Sequence, residues 1–152
     1  MLIPTEIEVK LAETLAELQA VFAIRHKVFV IEQNVPAEEE YDAFENQARH
    51  FIAIHKTYNL PCGTARWRFT DKGIKLERFA VLHNYRSRGV GSAILQKVLQ
   101  DIDNHPNTKG KLKYLHAQIT AMGLYAKFGF RAVGEMFEEC AIQHYKMVLN
   151  DA

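Results

Sequence analysis

The sequence predicts a mixed α/β fold, in which a mostly antiparallel central sheet is flanked by helices. Three observations predict it. Residues 51–81 hold three apolar, strand-like runs joined by short turns, the pattern of an antiparallel meander. Residues 89–102 switch to a 3.6-residue period, and another strand-like run follows at 112–117, so the strands on either side of that helix can lie parallel. The 152 residues are 48% hydrophobic, enough for a sizeable core and too apolar for disorder. One domain over residues 1–152 is expected, with no internal repeat, low-complexity tract or linker.

Each element has a local reason. Ile7, Val9 and Leu11 alternate with charged residues, as a half-buried strand requires. Thr14-Leu15-Ala16-Glu17 fits a capping box, and Leu15, Leu18, Val21 and Phe22 carry a helix on to about His26. Residues 28–36 are apolar and run into the acidic stretch Glu38, Glu39, Glu40 and Asp42, which reads as a loop with a short helix. Strands follow around Phe51–Ile54, over 63–69 and over 74–81, separated by Tyr58-Asn59-Leu60-Pro61 and Asp71-Lys72-Gly73 turns. Ile94, Leu95, Val98, Leu99 and Ile102 share one helix face, and Asn104-His105-Pro106-Asn107 stops that helix. A strand over 112–117 precedes a short helix over 121–128, which Gly129 ends. Residues from Phe130 are a strand or loop, and 142–149 are the last strand. The predicted order is β-α-loop-β-β-β-α-β-α-β-β.

Composition excludes several function classes. Net charge is 19 − 18 = +1, so no overall field draws nucleic acid or a membrane surface. The N-terminal residues lack a basic segment followed by a long apolar one, and no apolar run approaches a membrane span of about 20 residues. A cytoplasmic protein is expected. Cys62 and Cys140 form no CxxC motif and read as two buried free thiols. The seven histidines include no His-x-x-x-His pair, and Cys140-x-x-x-His144 has no matching second pair, so no metal is expected.

The stretch richest in chemistry is Leu76-Glu77-Arg78-Phe79-Ala80-Val81 followed by Arg86-Ser87-Arg88-Gly89-Val90-Gly91-Ser92-Ala93. A strand leads through a polar loop into two glycines and a helix. A glycine-rich turn at a helix start exposes backbone N–H groups to an anion, above all a phosphate. A Rossmann fingerprint would need a small residue where Ile94 stands, and no Gly-Lys-Ser/Thr of a P-loop occurs.

Arg86-x-x-Gly89-x-Gly91 between strand and helix resembles the acyl-CoA pyrophosphate loop of GNAT-type N-acetyltransferases. The later Gln118-Ile119-Thr120-Ala121-Met122-Gly123-Leu124-Tyr125-Ala126-Lys127-Phe128-Gly129-Phe130 resembles that superfamily's Asn-x-x-Ala-x-x-Leu-Tyr-x-Lys-x-Gly-Phe, with Gln118 where Asn is usual. Residues 28–36, Gly63-Thr64-Ala65-Arg66-Trp67 and Gly134-Glu135-Met136-Phe137-Glu138-Glu139 resemble the ElaA/YjcF-type branch. That branch carries Gly-Ile-Pro-His near its C-terminus. Here the segment is Ala141-Ile142-Gln143-His144, which keeps only the isoleucine and histidine.

The resemblance implies a central parallel pair of strands splayed at a β-bulge, and an acetyl-CoA-dependent transfer of an acetyl group to a primary amine. It implies that the N–H groups of Arg88, Gly89, Val90, Gly91 and Ser92 hold the pyrophosphate, with Arg86 and Arg88 adding charge. The bulge over Phe79-Ala80-Val81 would free the Val81 N–H for the acetyl oxygen. Gln118 would meet the pantetheine amides. Tyr125 would hydrogen bond the leaving thiolate, since full proton transfer from a phenol near pKa 10 to a thiolate near 8.5 costs about 2 kcal/mol. Glu77, acting through water, is the expected base. Other readings stand beside these. The arginines fit a solvated loop, Tyr125 a packed aromatic, Phe79-Ala80-Val81 an ordinary strand, and Glu77 an ion pair with Arg78. His144, His116 and His83 are further candidates for the base. The acidic run at 38–42 suits either a solvated face or the attraction of a cationic amine. Trp67, Phe69 and Phe51 suit the core first and an acceptor pocket second. The acceptor is a small-molecule amine or a peptide, nucleic acid and membrane are not expected partners, and a homodimer stays open. A non-catalytic acyl-CoA-binding module is the rival reading.

Overall fold

The computed structural model describes residues 6–149. Among the described residues, seven strands form one sheet in the order β1-β2-β3-β4-β5-β7-β6. They are β1 (Ile7–Leu11), β2 (Arg49–His55), β3 (Leu60–Thr70), β4 (Gly73–Val81), β5 (Lys113–Gln118), β6 (Arg131–Glu139) and β7 (Ile142–Leu149). Only β4 and β5 pair in parallel; every other neighbour is antiparallel. The helices are α1 (Leu15–Arg25), α2 (Ala37–Glu40), α3 (Val90–Asn104) and α4 (Met122–Ala126). This is the expected fold class.

The feature that positions the site is a break between β4 and β5. Their parallel pairing covers Ile74↔Lys113, Lys75↔Tyr114 and Leu76↔Leu115. Beyond Leu76, β4 keeps β3 as its partner and β5 keeps β7. The cause is a β-bulge. Thr64 pairs with Ala80 and Arg66 with Glu77, so Arg78 and Phe79 together oppose Ala65. Arg78 takes a left-handed φ of 60° to accommodate the extra residue. A bulge bends its strand, and here β4 bends away from β5. The bulge lies at Arg78–Phe79, one residue before the expected Phe79-Ala80-Val81.

The core lies mainly between the sheet and α3. Val90, Ile94, Leu95, Val98 and Ile102 of α3 are buried with Cys62, Trp67, Ile74, Leu76 and Leu115 of the sheet. Each large aliphatic side chain so buried contributes about 1.5–3 kcal/mol. The Thr14–Glu17 capping box forms as expected, and Lys10 adds an ion pair to Glu17 at 2.7 Å.

Several local expectations change. Of the expected loop, residues 28–32 are helical: α1 runs straight into a π-helical segment, His26–Glu32, whose wider winding is marked by the Gln33 N–H donating to the Val28 carbonyl, while residues 33–36 are the loop and α2 the short helix. Phe130 leads into a nine-residue strand, β6. Cys140 is exposed, not buried, because it sits at the tip of the β6–β7 hairpin. Cys140 and Ala141 both take left-handed φ, 51° and 64°, so Ala141 adopts a conformation for which glycine is better suited. Gln143 pairs with Glu138. Among Trp67, Phe51 and Phe69, the first two are core and Phe69 is 41% exposed.

The acidic run divides: Glu38 and Glu39 are exposed, as a solvated face requires, whereas Glu40 and Asp42 turn inward. Glu40 and Glu45 are buried, and with Asp42 they face two arginines with no exposed surface, Arg25 and Arg66. Arg25 donates to Glu40 Oε1 at 2.6 Å and to both Glu45 oxygens at 2.8 and 2.7 Å. Arg66 donates to Glu45 at 2.7 Å and to both Asp42 oxygens at 3.0 and 2.6 Å. Buried charges survive only when paired in this way. The network pins residues 36–45 over one face of the sheet.

Candidate active site

The gap between β4 and β5 opens into a cleft of about 140 Å³. Among the expected site residues, Glu77, Phe79, Gln118 and Tyr125 line it. Val81 and the loop 86–92 follow Phe79 along the chain and do not line it. They are tied to it by packing: a side chain at Gly91 would meet Leu124 of α4 at 3.2 Å, one residue from Tyr125. The two sequence motifs therefore meet in space at the mouth of the splay.

The start of α3 is a bare helix N-terminus. Gly89 caps it with a left-handed φ of 83° and no side-chain hydrogen bond. The side chains of Val90 and Ser92 are buried. What they offer outward, with Gly91, is backbone N–H groups without partners inside the helix. Such donors at the positive end of a helix fit a pyrophosphate. Arg88 lies 5.9 Å from the Tyr85 ring and is exposed. Arg86 is not free: it makes a bidentate pair with Glu32 at 2.8 and 2.9 Å, and its Nε donates to the Val81 carbonyl at 2.9 Å. That last bond fixes how Val81 faces. A strand residue's N–H and C=O point to the same side. Leu82, the next residue, donates to Cys62 of β3 at 2.9 Å. The Val81 N–H therefore points away from β3, into the side that β5 has left.

Tyr125 is 6% exposed, its ring packed edge-on against Phe79 and Phe130 at 5.5 and 6.1 Å. No group among the described residues hydrogen bonds its hydroxyl. Burial pushes the phenol above its ordinary value, which keeps it a neutral donor. The Gln118 amide is held by Gln33: Gln118 Nε2 donates to Gln33 Oε1 at 2.9 Å, bridging the end of β5 to the end of the π-helical segment. Sequence reasoning missed Gln33, although it stands in the segment that carried the narrower resemblance.

Glu77 does not stand as a free base. It is ion-paired to Arg66, to Arg68 at 2.7 Å and to Lys75 at 3.4 Å, and not to Arg78. Burial raises its pKa, but the Arg66 charge, the Arg68 hydrogen bond and Lys75 outweigh burial and hold it below the usual carboxylate range. A carboxylate so stabilised accepts protons poorly. Of the candidate histidines, His116 and His144 line the cleft and His83 does not. Cys140 lies on the rim, donating to Glu39 at 2.9 Å, and that bond pushes its thiol up to about 11. Among the described residues no group of three or more His, Cys, Asp or Glu side chains is placed to hold a metal ion.

The acetyltransferase (GNAT) domain model matches residues 12–150. The chain belongs to the GNAT acetyltransferase family. The uncharacterized N-acetyltransferase YjcF of Bacillus subtilis is 39% identical over 139 residues, covering 91% of this chain and 96% of YjcF. ElaA of Escherichia coli is 29% identical over 137 residues, 88% of each chain. Among solved structures, E. coli ElaA superposes with a TM-score of 0.80 at 26% identity over 95% of this chain and 99% of that one. An acyl-CoA N-acyltransferase from Pseudomonas aeruginosa gives 0.80 at 25% identity, covering 95% and 98%. This GNAT domain is thus of the ElaA/YjcF-like branch, and it is an N-acetyltransferase that works from an acyl-CoA donor. The non-catalytic reading gives way. Among the described residues no helix is long and apolar enough to cross a membrane.

Proposed function

We propose that this enzyme moves the acetyl group of acetyl-CoA directly to a primary amine of a small molecule or peptide, with both substrates bound in the cleft. The observation that carries this is the bulge-driven gap between β4 and β5, which leads from the bare α3 N-terminus to Tyr125. Direct transfer is favoured because the one thiol on the cleft wall among the described residues, Cys140, is a poor nucleophile at about 11. The N–H groups of Gly89, Val90, Gly91 and Ser92 hold the pyrophosphate, with Arg88 and Arg86 as charged neighbours. Arg86 must share its guanidinium with Glu32 or release it. The Phe79–Val81 strand lies along the acyl arm, and the Val81 N–H donates to the carbonyl oxygen as charge develops there. Gln118, steadied by Gln33, meets the arm's amides. Tyr125 donates a hydrogen bond to the departing sulfur.

The test is a thermal shift combined with turnover. Acetyl-CoA should raise the melting temperature while NAD and ATP do much less, by linkage. Thiol release should then accelerate with some member of a primary-amine panel. Stabilisation by ATP and not by acetyl-CoA would refute the site, and an enzyme that binds acetyl-CoA yet acetylates no amine would refute the acceptor class.

A further inference from the structure

An alkylammonium acceptor must lose a proton before its nitrogen can attack, and Glu77 is too strongly paired to take it. A second carboxylate on the cleft wall is differently placed. Glu139 Oε1 lies 2.8 Å from His116 Nδ1, and since a carboxylate only accepts, the imidazole is the donor. That hydrogen bond, helped by the Lys75 charge, holds the Glu139 carboxyl below the usual range against the opposing effect of burial. Its other oxygen, Oε2, faces His144 Nε2 at 4.0 Å, too far for a hydrogen bond.

The state of His144 follows from its other nitrogen. His144 Nδ1 is 2.7 Å from the Ile142 carbonyl oxygen. A carbonyl cannot donate, so Nδ1 carries the ring proton, and in the neutral ring Nε2 presents a lone pair. The ring is held by stacking on Phe137, with centroids 5.8 Å apart and planes at 22°. Two acceptors, Glu139 Oε2 and His144 Nε2, thus face each other on the cleft wall, and no hydrogen bond joins them.

We propose that this gap is the ammonium site of the acceptor, and that His144 is the base. Glu139 Oε2 and His144 Nε2 accept two N–H bonds of a primary alkylammonium. One N–H bond breaks and an Nε2–H bond forms, leaving an imidazolium beside the Glu139 carboxylate. The freed electron pair on nitrogen attacks the acyl carbon, the carbon–sulfur bond breaks, and the thiolate leaves onto the Tyr125 hydroxyl. The nitrogen sheds a second proton as the amide forms. That proton neutralises the thiolate, and the one on His144 passes to solvent. His116 is a positioning residue that aims Glu139. The assignment rests on the acetyl-transfer reading of the cleft and adds its acceptor class and its base.

Two measurements test it. Nitrogen-15 NMR of ring-labelled histidine, with the His144 signal assigned by its loss in His144→Gln, should show the neutral ring protonated on Nδ1. A ring protonated on Nε2 would overturn the proposal without any acceptor being needed. Turnover of acetyl-CoA is then compared for ethylamine, an ammonium ion at neutral pH, and methoxyamine, which has nearly the same shape and is uncharged. His144→Gln should lower kcat/KM for ethylamine by about 10²–10⁴-fold, with a loss at least tenfold smaller on methoxyamine. Glu139→Gln, at a half-exposed side chain whose change spares the fold, should raise KM for ethylamine more than for methoxyamine. It carries the kinetic test alone if His144→Gln does not fold. Equal losses on the two amines, or none, would overturn the assignment. Wild-type enzyme that binds acetyl-CoA but uses neither amine would count against the small-amine acceptor, and the tautomer would still decide the base.

Discussion

Replacing Tyr125 by phenylalanine removes one oxygen atom and little else. The ring keeps its edge contacts with Phe79 and Phe130. The hydroxyl has no hydrogen-bond partner among the described residues, so its loss breaks no bond in the fold and leaves no orphaned group behind. Stability should therefore change by less than about 1 kcal/mol, and the sign can favour the variant. Catalysis should respond differently. The proposed hydrogen bond forms only as negative charge gathers on sulfur, so it acts on kcat and not on acetyl-CoA affinity. Burial has pushed the phenol above its ordinary value, which makes complete proton transfer to the thiolate costlier than it would be in water. Stabilisation by hydrogen bonding remains, and removing it should cost about 10²-fold in kcat, or about 2.7 kcal/mol. Thermal melts, calorimetric titration with acetyl-CoA and steady-state rates on the best amine separate these effects. Unchanged kcat, with chemistry shown to limit the rate, would refute the role and return Tyr125 to packing alone. Weaker acetyl-CoA binding at unchanged kcat would place the hydroxyl on the ground-state cofactor.

Two further predictions rest on ion pairs. Glu32→Ala frees Arg86 and removes a negative charge near the proposed pyrophosphate site, so acetyl-CoA should bind about two- to fivefold tighter at low salt, an effect that fades as ionic strength rises; weaker binding in calorimetry would show that Glu32 positions Arg86 instead of competing for it. Burial raises the Asp42 carboxyl, but Arg66 and Arg78 outweigh it and hold the folded-state value at about 2, while in an unfolded chain it is near 3.9. The unfolded chain binds the proton first, so this contribution to stability is present above about pH 4 and lost as pH falls towards 2. Urea melts across pH 2–6 should show that slope, and Asp42→Asn should flatten it; an identical slope in the variant would refute the pairing.

Much of this protein was determined by short stretches of its sequence, and those are the parts that local physics controls. The capping box at Thr14, the hairpin turn at Asp71-Lys72, the amphipathic face of α3 and the left-handed Gly89 that leaves its N-terminus bare each depend on a few neighbouring residues. So do the two motifs that carry the family resemblance, because a phosphate loop is built of backbone and needs only glycine and a helix start. Tertiary structure decided the rest. Arg25 and Arg66 are far apart in sequence and read as ordinary helix and strand residues. They meet Glu40, Asp42 and Glu45 only because the sheet and α1 bury both arginines with Glu40 and Glu45, and the inward half of the acidic run becomes an internal counter-charge. The same network reaches Glu77, whose carboxyl Arg66, Arg68 and Lys75 hold below the usual range, so that it accepts a proton poorly. The facing acceptors of Glu139 and His144 are local to the β6–β7 hairpin, where Glu139 pairs with Ile142 and His144 follows two residues on along the same face, but the His116 of β5 that holds Glu139 comes from 23 residues away. A sequence carries its helix starts and turns in its own neighbours; the charge state of a cleft residue is set by whatever long-range packing brings beside it.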